Sequence, residues 1–217
     1  MSAHAVGANV APRGRVGILN IMASDSVHFH SGVTGFGDTE ARHSLPGGPL
    51  PEYINDELKE RLTELGYDVV MVETSLPLEK YPGYLVAKGW RDFKLTKSGK
   101  AIVKDLVERE RLDFVLLLED FARSDGLHPQ SAPVFGHGLY TKAYIGDAKV
   151  PTSRIFGGFI GAVVDGSSGE LLGTSAPPYM ETTEVNAMDQ NGLLRVEVTV
   201  RFFADQIVSG LVMYLED

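Results

Sequence analysis

The stretch Leu112-Asp-Phe-Val-Leu-Leu-Leu118 is apolar almost without interruption. A short continuous apolar run of this kind suits a strand buried on both faces, as in a sheet covered by helices on either side. Two upstream segments have the same character, Arg15 to Met22 (RVGILNIM) and Tyr67 to Glu73 (YDVVMVE). Between the three runs lie two amphipathic segments. In Pro51 to Leu65 (PEYINDELKERLTEL), Tyr53, Ile54, Leu58, Leu62 and Leu65 recur at helical spacing, with Pro and Glu at the start and Gly66 at the stop position. In Ser98 to Arg111 (SGKAIVKDLVERER), Ile102, Val103, Leu106 and Val107 share one face. The first half therefore reads β-α-β-α-β, with parallel neighbours expected in the sheet.

Downstream the pattern changes. Gly136 to Ile145 and Arg154 to Val164 read as strands, and the polar turn Asp165 to Glu170 leads into a short strand, Leu171 to Ser175, which makes a hairpin. The segment after Leu194 carries two patterns at once. Leu194, Val196, Val198, Val200 and Phe202 alternate with polar residues like a strand. Val196, Val200, Phe203, Ile207, Leu211 and Leu215 form a helical stripe to the end. The length of the stripe favours a helix from about Gln190 to Leu215. The expected fold class is α/β with an α+β tendency: a mixed sheet in three or two layers, ending in a hairpin and a C-terminal helix. Residues 1–14 are expected to be a flexible arm and 15–217 a single domain.

Composition narrows function by exclusion. The chain has 217 residues, a formal net charge of −9, 43% hydrophobic residues and no cysteine. The acidic balance disfavours nucleic acid and anionic lipid, both of which select clustered Lys and Arg. Without cysteine there is no thiol nucleophile, disulfide or thiolate metal site. No apolar run suited to a transmembrane segment is read, and Met1 to Arg15 has no signal-peptide core. The expected location is cytoplasmic as the sequence stands, or periplasmic or outer-membrane-associated if an export signal has been removed. Motifs for nucleotide binding fail: Lys94 stands where the Gly before Thr96-Lys-Ser-Gly-Lys100 would have to be, and Gly157-Gly-Phe-Ile-Gly161 has the wrong spacing. No G-x-S-x-G or H-E-x-x-H is present.

The richest polar segment is the long connection from Ala23 to Pro51, read as a loop. It holds Asp25, His28, His30, Asp38, Glu40 and His43, candidate ligands for a divalent transition metal, since imidazole and carboxylate together suit zinc, manganese or iron. In an extended segment His28 and His30 would point the same way. The third strand ends in Glu119 and Asp120, with Asp125 and His128 beyond, at the sheet edge where α/β proteins bind ligands. His137, and the aromatic group Tyr81, Tyr84, Trp90 and Phe93, complete the candidates. No cofactor is predicted.

The order of these elements, the "ELGYDVV" helix end and the hairpin Val164-Asp-Gly-Ser-Ser-Gly-Glu-Leu171 together resemble the α/β domain of bacterial envelope lipoproteins of the curli-secretion-channel type, and the related amino-terminal domain of the Tol translocation protein. The lipid-bearing cysteine of such lipoproteins has no counterpart here. The resemblance implies no catalytic residues; it implies assembly, self-association or a protein partner, in a bacterial envelope complex. A small metal-dependent enzyme using the Ala23–Pro51 segment is the alternative, and the sequence leans away from an enzyme.

Overall fold

The computed structural model describes residues 12–32, 38–78, 82–89, 92–122, 135–142, 153–176, 180–185 and 187–216. The elements, in chain order, are β1 (Arg15–Asn20), β2 (Ser26–Ser31), β3 (Thr39–His43), α1 (Leu50–Glu64), β4 (Asp68–Met71), β5 (Val86–Lys88), β6 (Phe93–Leu95), α2 (Lys97–Glu110), β7 (Phe114–Asp120), β8 (Gly136–Lys142), β9 (Ser153–Asp165), β10 (Leu171–Ser175), β11 (Met180–Thr183) and α3 (Gln190–Glu216). The expected α/β class and mixed sheet are observed. Met1–Ala11, most of the expected arm, lie outside the described residues. Arg13 donates its backbone N–H to Gly66.

The apolar runs form the parallel centre. β1 lies between β4 and β7 and pairs with both in parallel. Strand β9 then organises the rest. Its 159–165 half lies between β7 and β10, and its 153–158 half pairs with β8 and, in part, with β11, all antiparallel. The β8 strand also pairs in parallel with β2, whose far side carries β3. This corrects the reading of Ala23–Pro51 as a loop: β2 and β3 form an edge hairpin there. The reading of 74–95 as irregular is corrected too, by the β5–β6 hairpin. Both pairs are short and partly exposed, so neither has the apolar periodicity that marks a strand in sequence.

Strand alternation divides the core into two. One face presents Val16, Ile18, Leu116, Leu118, Leu139, Ile155 and Val163 to α1 and α3. The other presents Leu19, Val115, Leu117, Ile160, Ala162 and Val164 to α2. The result is three layers. α1 stops at a Schellman cap, where Gly66 (φ 90) and Tyr67 donate to the carbonyls of Thr63 and Leu62. α2 starts at Thr96, whose hydroxyl accepts from Gly99 N–H.

The ambiguous C-terminal segment is helix throughout. Its inward stripe, Val196, Val200, Phe203, Ile207, Leu211 and Leu215, is buried. Two strand glycines make room for it: a Cβ at Gly157 would strike the Phe203 ring, and one at Gly161 would strike Leu211. By length and hydropathy α3 is apolar enough to cross a membrane, yet half of its most apolar window is buried against the sheet, as in a core helix.

Candidate functional site

Strand order reverses between β1 and β7, because β4 lies on one side of β1 and β7 on the other. The carboxyl ends of such a strand pair form the usual ligand crevice of an open α/β sheet. A cleft of about 140 Å³ opens there, lined by Ile21 and Ala23 after β1, Glu119 and Asp120 at the end of β7, and Arg42, Pro82 and Phe135. The sequence thus placed the two carboxylates at the right edge.

Their bonding gives them structural work. Glu119 is buried and accepts from the backbone N–H of Leu85 at 3.0 Å and of Val86 at 2.6 Å, tying the β5 segment to β7. Burial pushes its carboxyl up to about 7, against the lowering effect of the backbone hydrogen bonds from Leu85, Val86 and Tyr84. Asp120 accepts from Ala23 N–H at 3.0 Å and so holds the chain as it leaves β1. Arg42 forms an ion pair with Glu40 at 3.1 Å. The cleft is small, and each oxygen of Glu119 already accepts a backbone hydrogen bond.

The histidines gather elsewhere. His28 and His30 do point the same way from β2, and the β2–β8 register brings Thr141 alongside. His28 Nε2 lies 3.1 Å and His30 Nδ1 2.8 Å from Thr141 Oγ1. His43, on β3, sets its ring 6.5 Å from that of His28, and its Nε2 is buried without a hydrogen-bond partner. Burial, then His43 and His30, hold the His28 imidazole below its ordinary range. The acidic candidates take other parts. Asp38 accepts from Gly32 N–H, Glu40 pairs with Arg42, and Asp25 precedes β2. Among the described residues no three His, Asp or Glu side chains converge in metal-ligand geometry.

His137 is fully buried on β8, and neither ring nitrogen has a hydrogen-bond partner. Burial pulls its imidazole down to about 4. Tyr84 donates to the Pro77 carbonyl, and Phe93 packs edge-on against Phe121. Tyr81, Trp90, Asp125 and His128 lie outside the described residues.

Two features went unread in the sequence. Thr141 is one, since nothing local marks the register that brings it to the histidines. The other is the outer face of α3, where Leu194, Val198 and Phe202 are 46%, 63% and 54% exposed at four-residue intervals. Its signal was present: the apolar alternation from Leu194 to Phe202 is an inner stripe and an outer stripe superposed on one helix.

No family model matches the sequence, and no curated protein matches it. Among solved structures, a hypothetical protein of Chlamydia trachomatis, CT253, is 12% identical with a TM-score of 0.38, covering 94% of this chain and 95% of that one. A Xanthomonas campestris protein, XCC0632, described under the family model DUF330, is 9% identical with a TM-score of 0.37, covering 96% and 86%. At these scores neither neighbour bears on function.

Proposed function

We propose that the chain is a non-enzymatic assembly module of a bacterial envelope complex, self-associating through the outer face of α3. The observation that carries this reading is the stripe Leu194, Val198 and Phe202, apolar, exposed and evenly spaced on a helix that already buries its opposite face. Apolar residues repeated on a solvent face mark contact surfaces. The envelope setting rests on the sequence resemblance alone.

The occupant is a second copy. The stripe is symmetric about Val198, so an antiparallel crossing sets Leu194 of one copy against Phe202 of the other at both ends, the self-complementary arrangement that a twofold contact requires. The charges flanking it, Arg195, Glu197, Arg201 and Asp205, are each engaged within the chain, so the face carries no net excess of either sign, which suits a second copy better than a partner of one sign. A standard interface covers about 800 Å² per partner, and three half-exposed side chains supply only part of that, so the dimer is weak, with a Kd on the order of micromolar. The net charge of −9 opposes association, and added salt therefore strengthens it.

Size-exclusion chromatography with light scattering tests this. The mass is expected to rise from monomer towards dimer across roughly 1–500 μM, and Val198→Asp is expected to remain monomeric. A wild-type chain that stays monomeric throughout overturns the reading. The metal-dependent alternative has its own check: zinc, manganese or iron raises the melting temperature if the imidazoles bind it, and the assembly reading expects no shift.

A further inference from the structure

The three histidines of the β2–β3 hairpin share a feature that self-association does not use. Register places Ser26, His28 and His30 of β2 on one sheet face with His43 and Ala41 of β3 and Thr141 of β8. Thr141 has a single hydroxyl. With both imidazoles neutral, one ring accepts its O–H and the other donates an N–H to its oxygen. Protonation ends that arrangement, because two imidazolium rings then direct N–H donors at one oxygen while the hydroxyl proton loses its acceptor.

No carboxylate of the hairpin offsets the added charge. Glu40 is paired with Phe29 across the ladder, hence on the opposite face, and is held by Arg42. Asp38 bonds Gly32 N–H, and Asp25 precedes the strand. On the elements packed nearby, Glu181 of β11 pairs with Arg195, and Glu197 of α3 pairs with Arg201 and holds Gly47. Along β8 the same face carries buried Leu139, opposite His28, and then His137, another imidazole, also buried, so β8 adds no anion there. The charges that act on His28 are those of His43 and His30, and both disfavour its protonation.

We infer that the β2–β3 hairpin is a proton-sensitive flap: protonation of His28, His30 and His43 weakens its parallel ladder to β8 and frees that edge of β8 for another strand. The hairpin is suited to this, since it sits at the end of the sheet and β3 is largely exposed. The flap stands independently of the α3 contact.

Hydrogen–deuterium exchange of the full chain at about pH 7.5 and about pH 5.5, corrected for intrinsic rates, tests the inference. Amides of β2 and β3 are expected to lose protection at least about tenfold more than those of β1 and β7, which report global stability. In His28→Gln/His30→Gln/His43→Gln, and to a smaller extent in His30→Gln alone, that differential loss is expected to shrink. Equal loss in hairpin and core, or a differential loss unchanged in His30→Gln, overturns the inference. If the triple variant does not fold, NMR titration of the wild-type imidazoles decides: hairpin amide shifts that do not follow the titration of His28, His30 or His43 also overturn it.

Discussion

Glu119 and His137 are both buried, and burial moves their proton affinities in opposite directions. Glu119, raised from 4.5 to about 7, binds its proton more tightly in the folded chain, so its contribution to stability is complete below 4.5 and fades as pH rises through 7. His137, lowered from 6.5 to about 4, binds its proton more tightly in the unfolded chain, so stability is lost as pH falls from 6.5 towards 4. Between these limits the two slopes oppose each other, each approaching about 1.4 kcal/mol per pH unit. Single variants separate them. In urea unfolding, His137→Leu is expected to gain stability on acidification relative to wild type, and Glu119→Gln to lose it. Variants whose stability runs parallel to wild type with pH would contradict both assignments. The sequence drew notice to these two residues because ionisable groups at a strand end or between glycines attract functional readings. Their role as a backbone acceptor and as a buried neutral ring follows from long-range packing. His28 and His30 were legible as a pair through strand alternation; Thr141 was not, because its place depends on β2 meeting β8.

At the scale of elements, local rules served where local forces decide. Both amphipathic helices emerged from their spacing, α1 also from its end signals, whereas the Thr96 cap of α2 went unread, and α2 shows where a cap remains imperfect. It ends at Arg111 in the left-handed region (φ 55), which a side chain disfavours, and Arg111→Gly is expected to stabilise the chain by about 0.5–1 kcal/mol in thermal unfolding. The β2–β8 ladder runs close past Gly138 (φ 152), where a Cβ would strike the Val27 backbone. Gly138→Ala is expected to detach the hairpin at neutral pH, seen as lost exchange protection in β2 with β1 unchanged. The hairpin itself was missed because its outer strand, Thr39–His43, is polar and exposed, so no burial pattern is written into it. The double pattern in α3 was ambiguous for the opposite reason: a helix with two apolar faces satisfies strand alternation and helical spacing together, and the length of the inner stripe decided rightly for helix.

For the whole molecule, the parallel centre was readable because strands buried on both faces must be apolar throughout, whereas the sequence left the choice between two layers and three open. The long strand β9, antiparallel to β7, β8, β10 and β11, was partly readable as the arm of a hairpin; its pairing with β8 and β11 was not, since strand order is set by contacts far apart in sequence. Among the described residues, the folded chain leaves uncovered an evenly spaced apolar stripe on α3, Leu194, Val198 and Phe202. The absence of native cysteine makes one substitution decisive, because a thiol at Val198 is the only one in the protein. Under mild oxidation, Val198→Cys is expected to form a disulfide-linked dimer rapidly, since the proposed twofold contact would bring that position against its own copy within the few ångströms a disulfide allows. Glu60→Cys, on the exposed side of α1, serves as the control. Cross-linking of Val198→Cys no faster than that of Glu60→Cys would contradict self-association through α3.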